Sequence, residues 1–129
     1  MTKTAAHQVL IVDDDSRNIF ALKAVLKARG FDCVTAISGP EGIKLLSGEH
    51  SIGIVLLDMM MPEMDGYETL RILRAGSMKA IPVIAVTAQA MVGDREKCLE
   101  AGADAYMSKP VDIDQLMVMM KELMHGHAE

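Results

Sequence analysis

Continuous apolar runs alternate along this chain with segments in which apolar residues recur every three or four positions. The runs predict buried strands, and the segments between them predict amphipathic helices. The predicted strands are 8–12, 32–37, 52–57, 81–86 and 105–107, and the predicted helices are 16–29, 38–47, 67–74, 92–101 and 112–124. Strands that alternate with helices in this way predict one α/β domain built on a parallel sheet.

Start and stop signals support these helix boundaries. Gly30 stands where a glycine commonly ends a helix, and Ser38 can cap the helix that follows it. Asp112 can cap the last helix, since Gln115 three residues later completes a capping box. Asp15 and Asp65 also suit caps or turns, so for these two acids a structural role is the simpler interpretation.

Length and composition fit a single folded domain. The chain has 129 residues, of which 50% are hydrophobic, and this is enough to form a core. We expect a domain over 8–124, a flexible N-terminal segment over 1–7 and a frayed C-terminal segment over 125–129. The twelve methionines can fill a core or supply a contact surface, and composition alone does not decide between these.

The charge of the chain restricts its partners. A net charge of −5 argues against binding to nucleic acid or to an anionic membrane surface. No apolar run approaches the roughly 20 residues of a membrane span, and residues 1–8 contain no apolar signal core. Cys33 and Cys98 are expected to be reduced thiols, and we therefore expect the protein to be cytoplasmic.

Polar side chains follow four of the five predicted strands. Three acids, 13–15, follow the first strand, Asp58 follows the third, Thr87 and Ala88 follow the fourth, and 108–110 follow the fifth. The carboxyl ends of parallel strands meet at one edge of a sheet, where such folds bind ligands. Clustered carboxylates repel one another unless a cation neutralises them, and a set of oxygen donors favours Mg²⁺.

A metal, an ammonium group and a hydroxyl group at one edge can together receive a phosphoryl group. Phosphoryl transfer depends mostly on positioning and on charge neutralisation, and an aspartate can serve as its nucleophile. Each of these residues taken alone has a simpler structural explanation. Their joint placement at one edge favours a site for phosphoryl chemistry.

Four motifs in order resemble the receiver domains of response regulators in two-component signalling. They are Val-Leu-Ile-Val-Asp-Asp-Asp over 9–15, Leu-Leu-Asp-Met-Met-Met-Pro-Glu-Met-Asp-Gly over 56–66, Val-Thr-Ala over 86–88 and Ser-Lys-Pro over 108–110. The resemblance covers about residues 8–124. It implies a flavodoxin-like (βα)5 fold, doubly wound, with five parallel strands in the order 2-1-3-4-5.

The resemblance implies a role for each residue at the strand ends. Asp58 matches the phosphoacceptor, and Lys109 matches the lysine that pairs with the phosphoryl group. Asp13 and Asp14 match the acidic pair that binds Mg²⁺, with Asp14 as the direct ligand and Asp13 acting through water. Met60 matches the position whose backbone carbonyl binds the metal, and Mn²⁺ is expected to substitute for Mg²⁺.

Other matched positions concern switching and access. Thr87 matches the switch hydroxyl, Tyr106 matches the aromatic switch residue, and the family implies a cis peptide bond between Lys109 and Pro110. Three residues are assigned to the route by which phosphate or water reaches Asp58: Ala88, Met60 and Gln89.

The implied function is that of a signalling phosphoacceptor rather than an enzyme acting on other substrates. A histidine kinase or histidine phosphotransfer protein would donate the phosphoryl group, and slow self-dephosphorylation would remove it. The face formed by the fourth helix, fifth strand and fifth helix would change. Met119 falls off the apolar stripe of the fifth helix and is assigned to this partner-facing surface as a hypothesis. Residues 93–104 resemble receivers attached to hybrid histidine kinases.

Three alternatives belong to other classes of protein. A haloacid-dehalogenase-type phosphatase could use Asp13 and Asp15, but Arg17 stands where that motif has Thr or Val. A flavodoxin-like cofactor carrier would have a Ser/Thr/Gly-rich loop after the first strand, where this chain has three acids. An interaction module with an inactive site is disfavoured by intact Asp58 and Lys109.

Overall fold

Five parallel strands form one sheet in the order β2-β1-β3-β4-β5, which confirms the predicted fold. The computed structural model describes residues 8–48, 51–61, 65–76, 80–88 and 93–128. The strands are β1 (Gln8–Val12), β2 (Asp32–Ala36), β3 (Ile52–Asp58), β4 (Val83–Thr87) and β5 (Ala105–Ser108). The helices are α1 (Ser16–Ala28), α2 (Gly39–Ser47), α3 (Gly66–Ala75), α4 (Asp94–Ala101) and α5 (Ile113–Ala128).

A few boundaries differ from those predicted. β4 begins at Val83 rather than at residue 81, because Pro82 has no N–H and contributes only its carbonyl, which accepts from Val55 at 3.0 Å. α5 continues to Ala128, four residues beyond the predicted end, since no proline interrupts its backbone. The predicted flexible segment 1–7 lies outside the described residues, and fraying of 125–129 stays a prediction.

Two apolar layers cover the sheet, one on each face. On one face α1 and α5 pack against alternate residues of β1, β3 and β4, with Leu26 and Leu116 fully buried. On the other face α2, α3 and α4 pack against the intervening residues, with Leu70 and Leu73 buried. A central strand covered on both faces must be apolar throughout, and this explains the continuous runs in the sequence.

Methionines contribute to this core alongside leucine, isoleucine and valine side chains. Met59, Met61, Met107 and Met120 are all buried. Met119, predicted to lie off the apolar stripe of α5, packs against the layer formed by α1 and α5. Its expected position off the stripe is therefore wrong, while its place on a partner-facing surface stays a prediction. Among the residues of α5 whose burial is described, Val118 is the exposed large apolar side chain, with 57% of its surface accessible.

Both cysteines are free thiols, as predicted. Burial raises the pKa of Cys98, which lies beneath the Tyr67 hydroxyl at 3.6 Å. Within the described ranges, none of the helices is both long and apolar enough to cross a membrane.

Candidate functional site

The strand register brings the predicted acids to one level at the carboxyl edge of the sheet. Val12 pairs with Leu57, so that Asp13 and Asp58 follow these two residues side by side. Asp58 in turn pairs with Val86, the residue before Thr87. The sheet order therefore places β1, β3 and β4 next to one another where their polar residues begin.

Three carboxylates form a cluster at this edge. Asp13, Asp14 and Asp58 each offer an oxygen, and these atoms lie within 4.8 Å of one another. Asp13 and Asp58 are 3% and 4% exposed, whereas Asp14 faces the solvent. Carboxylates held this close repel one another, so the cluster favours a cation or a proton.

Asp58 lies in a strongly polarised environment. Its Oδ1 accepts a hydrogen bond from the Met60 N–H at 3.1 Å, and its Oδ2 lies 3.7 Å from Lys109 Nζ. Burial, together with the nearby charge of Asp13, raises the pKa of Asp58 to about 6, despite the opposing effects of the Met60 N–H and of Lys109. Asp58 is therefore a carboxylate at neutral pH but becomes protonated in mild acid.

Asn18 is a residue of this site that the sequence reasoning missed. From the first turn of α1, its Nδ2 donates to Asp13 Oδ2 at 2.6 Å. Lys109 Nζ approaches the same oxygen at 3.2 Å, and the Asp15 N–H donates to Asp13 Oδ1 at 2.9 Å. The sequence did contain a signal for this residue. Asn18 is an amide five residues after a strand-end acid, in the helix turn that faces the end of the strand.

The donor atoms suit a hard divalent cation. Oxygens bound to one Mg²⁺ at about 2.1 Å lie at most about 4.2 Å apart. The three carboxylate oxygens lie within 4.8 Å of one another, so small side-chain movements would bring them into this range. The exposure of Asp14 leaves one side of the cluster open to the water molecules that Mg²⁺ retains. The residues present therefore fit a magnesium ion.

Two other acids at this edge have structural roles, as predicted. Asp15 caps α1 by accepting from the Arg17 N–H at 3.0 Å, and Asp65 caps α3 by accepting from the Glu68 N–H at 3.0 Å. Capping by Asp15 disfavours the phosphatase alternative, which needs this carboxylate for chemistry.

Gly66 is required by the close approach of α3 to the end of β3. A Cβ atom at this position would lie 2.6 Å from Met59 Cα and 3.0 Å from the Asp58 carbonyl oxygen. The Gly66 N–H also donates to the Met59 carbonyl at 3.3 Å. The Asp-Gly pair in the sequence therefore does more than form a turn, because it lets the helix pack directly under the residue after Asp58.

The residues assigned to switching lie on the same face of neighbouring strands. Tyr106 pairs with Ala85, and Thr87 is two residues further along β4, so that their side chains are diagonal neighbours. Thr87 is buried, whereas Tyr106 is partly buried against the layer formed by α2, α3 and α4.

The remaining assigned positions are at the rim of the site. The peptide bond between Lys109 and Pro110 is cis. Ala88 and Met60 are exposed, while Gln89 lies outside the described residues. The structure does not test the roles of these residues in access, which stay predictions.

Most of the chain matches one family of known proteins. Residues 9–121 match the family described as the response regulator receiver domain. Sensor histidine kinase RcsC of Escherichia coli is 44% identical over 107 residues, which cover 82% of this chain but only 11% of RcsC. The polar-differentiation response regulator DivK of Brucella ovis is 35% identical over 122 residues, which cover 94% of this chain and 95% of DivK.

Solved structures agree with the sequence relatives. The receiver domain of a Francisella response regulator has a TM-score of 0.86 at 30% identity, covering 93% of this chain and 98% of that one. The receiver domain of a sensor histidine kinase from Pseudomonas aeruginosa has a TM-score of 0.84 at 29% identity, covering 93% of this chain and 98% of that one. That structure is described as having a magnesium ion coordinated in its active-site cleft.

Proposed function

Since the chain belongs to the response regulator receiver domain family, we propose that it accepts a phosphoryl group on Asp58 in a Mg²⁺-dependent reaction. The observation that carries this proposal is the position of the Asp58 carboxylate, buried between Asp13 and Lys109 at the carboxyl edge of the sheet. The donor would be a phosphohistidine on a histidine kinase or a histidine phosphotransfer protein. The kinase relatives and the free-standing DivK are both compatible with this type of donor.

In the proposed reaction, an oxygen of Asp58 attacks the phosphorus atom of the phosphohistidine. The phosphorus–nitrogen bond breaks, the histidine nitrogen keeps the electron pair, and Asp58 becomes an acyl phosphate. Lys109, 3.7 Å from Asp58 Oδ2, is placed to pair with a phosphoryl oxygen. Hydrolysis of the acyl phosphate restores Asp58, so the protein acts as a signalling phosphoacceptor and not as an enzyme on other substrates.

The acidic cluster would hold the metal for this reaction. Asp14 and Asp58 would supply carboxylate oxygens directly, Asp13 would act through a water molecule, and we assign a further ligand to the carbonyl of Met60. Bound Mg²⁺, or Mn²⁺ in its place, would supply positive charge for the phosphoryl oxygens. In this proposal the protein acts in the cytoplasm, in keeping with its two free thiols.

A Mg²⁺-dependent gain of one phosphoryl group is the expected result that tests this function. The protein is incubated with acetyl phosphate, with Mg²⁺ or with a chelator, and its intact mass is measured. We expect one added phosphoryl group only when Mg²⁺ is present, because the carboxylates otherwise repel the incoming anion. The proposal is wrong if no phosphoryl group is added, or if the gain is equal in chelator.

Asp14→Asn is expected to weaken Mg²⁺ binding by about tenfold or more, because it removes an exposed carboxylate ligand of a hard cation. Binding is measured by titration of the backbone amide signals in NMR. Asp15→Asn is the matched control, since it removes an adjacent carboxylate that caps α1 and lies outside the cluster. Equal Mg²⁺ affinity in the two variants would mean that Asp14 is not a ligand.

Thr87→Ala is expected to uncouple Tyr106 from the phosphorylation site. A phosphoryl group on Asp58 brings acceptor oxygens that can draw the Thr87 hydroxyl towards it, and this would open space for its diagonal neighbour Tyr106. The environment of Tyr106 is followed by NMR, with beryllofluoride in place of the phosphoryl group. The variant should bind beryllofluoride without the shift in Tyr106 signals, and an unchanged shift would exclude this route.

A further inference from the structure

Among the described residues, three groups donate to the buried carboxylate of Asp13. Asn18 Nδ2 lies 2.6 Å from Oδ2, Lys109 Nζ lies 3.2 Å from the same oxygen, and the Asp15 N–H lies 2.9 Å from Oδ1. Asp13 is only 3% exposed, so these groups take the place of most of its water. Asn18 is the neutral side chain among these donors, and it lies in α1 rather than on a strand end.

In the unphosphorylated protein, the ammonium group of Lys109 lies near two carboxylates. Its Nζ is nearer to Asp13 Oδ2, at 3.2 Å, than to Asp58 Oδ2, at 3.7 Å. If Lys109 pairs with a phosphoryl group on Asp58, as in the function proposed above, its contact with Asp13 must weaken. A buried carboxylate oxygen that loses its hydrogen-bond partners destabilises the folded state, because water cannot replace them.

We propose that Asn18 is a positioning residue for the phosphorylation reaction. Its amide keeps Asp13 Oδ2 hydrogen-bonded and fixed in place while Lys109 moves to the phosphoryl group. Because the amide is neutral, it holds Asp13 without adding a positive charge that would compete with the metal. This inference rests on the proposed function. It gives α1 a role when Lys109 moves from the Asp13 carboxylate to the phosphoryl group on Asp58.

The unmodified protein offers a direct spectroscopic test. Asn18 is the only asparagine in the sequence, so its side-chain NH₂ signals in NMR can be assigned among those of three glutamines. We expect one Asn18 proton to be shifted strongly downfield by its bond to Asp13, and to remain so when Mg²⁺ and beryllofluoride are added. A shift to the position of a free amide on adding beryllofluoride would overturn the proposal.

A variant gives an independent measure. Asn18→Leu removes the donor at similar size, and we expect the affinity for beryllofluoride in saturating Mg²⁺ to fall about tenfold. Phe20→Leu is the matched control, because Phe20 is 76% exposed on the same helix, and its affinity should equal that of the parent. Asn18→Gln, which keeps the amide, should recover part of the loss. Parental affinity in Asn18→Leu would contradict the positioning role.

These outcomes separate the inference from the proposed function. If the parent neither binds beryllofluoride nor gains a phosphoryl group, the proposed function itself is wrong. If the parent does both, but the Asn18 signals become those of a free amide, only the role of Asn18 is wrong. Thermal unfolding of Asn18→Leu, measured alongside, shows whether a lower affinity reflects the site or loss of the fold.

Discussion

Asp58→Asn should abolish phosphorylation completely and, in the absence of metal, make the folded protein more stable. The first effect follows because the amide is not a nucleophile for the phosphoryl group. The second follows because burial and the nearby charge of Asp13 destabilise the ionised form of Asp58. The neutral amide keeps an oxygen that can accept from the Met60 N–H, so the substitution removes the charge and preserves the local hydrogen bond.

The stabilisation should depend on pH in a defined direction. Because the pKa of Asp58 is raised from 3.8 to about 6 in the folded protein, the folded state binds more protons than the unfolded state between these values. The contribution of Asp58 to the stability of the parent is therefore greatest below about pH 4, and it is lost as the pH rises through about 6. The variant, which lacks this group, should exceed the parent by about 1–3 kcal/mol at pH 7.5 and by little at pH 4.

Thermal unfolding in a chelator at the two pH values measures this difference. Asp32→Asn is a control with the same change of charge at an exposed position on β2, and its stability should follow the parent within about 0.5 kcal/mol. Excess Mg²⁺ should stabilise the parent more than Asp58→Asn, because only the parent has all three carboxylates. A variant no more stable than the parent at pH 7.5 would show that the Asp58 charge is not destabilised in the fold.

Arg74→Ala should destabilise the protein by about 2–4 kcal/mol. From the end of α3, Arg74 donates to the carbonyls of Gly102 and Ile81 at 2.8 and 2.7 Å, and to Asp104 Oδ2 at 2.9 Å. Its side chain is 20% exposed, so these bonds are partly shielded from water. Removing the guanidinium leaves two carbonyls and a carboxylate without this donor.

The same contacts hold the first residue of β4. Asp104 Oδ2 also accepts from the Val83 N–H at 2.8 Å, and the Asp104 N–H donates to the Val83 carbonyl at 2.8 Å. Arg74 therefore ties α3 to the segments that enter β4 and β5. We expect Arg74→Ala to speed amide hydrogen exchange at Val83 more than at residues of β1.

Chemical denaturation of three variants tests this role. Arg71→Ala, an exposed position on the same helix, should change stability by no more than about 0.5 kcal/mol. Arg74→Lys keeps the charge but cannot make the forked set of bonds, so its loss should be intermediate. Equal stabilities for Arg74→Ala and Arg71→Ala would show that the hydrogen-bonded network does not stabilise the fold.

Most of the secondary structure could be predicted because local rules govern it. Gly30 ends its helix with a positive φ of 94°, and Ser38, Asp65 and Asp112 cap the helices that follow them. Errors occurred where a local pattern was ambiguous. Met119 seemed to lie off the apolar stripe of α5 but packs against the core, because the width of a buried face depends on the elements that cover it.

The strand-end acids could be found for a related reason. In a parallel sheet every strand ends at the same edge, so Asp13, Asp14 and Asp58 were expected at that edge once their strands were recognised. Their close approach depends in addition on β1 and β3 being neighbours. The sheet order came from resemblance to a family and not from the pattern itself, because strand order depends on contacts distant in the sequence. The roles of Thr87 and Tyr106 rest on the same resemblance and stay predictions.

The sequence by itself determined the alternation of strands and helices, the apolar faces and the set of chemical groups at one edge of the sheet. These features follow from the periodicity of side chains along each element and from the residues that end it. Only the tertiary structure decided that Asn18 and Lys109 share one oxygen of Asp13, that Gly66 lies against the backbone after Asp58, and that Arg74 joins α3 to β4 and β5. Distances of a few ångströms between separate elements set these contacts, and no local pattern along the chain encodes them.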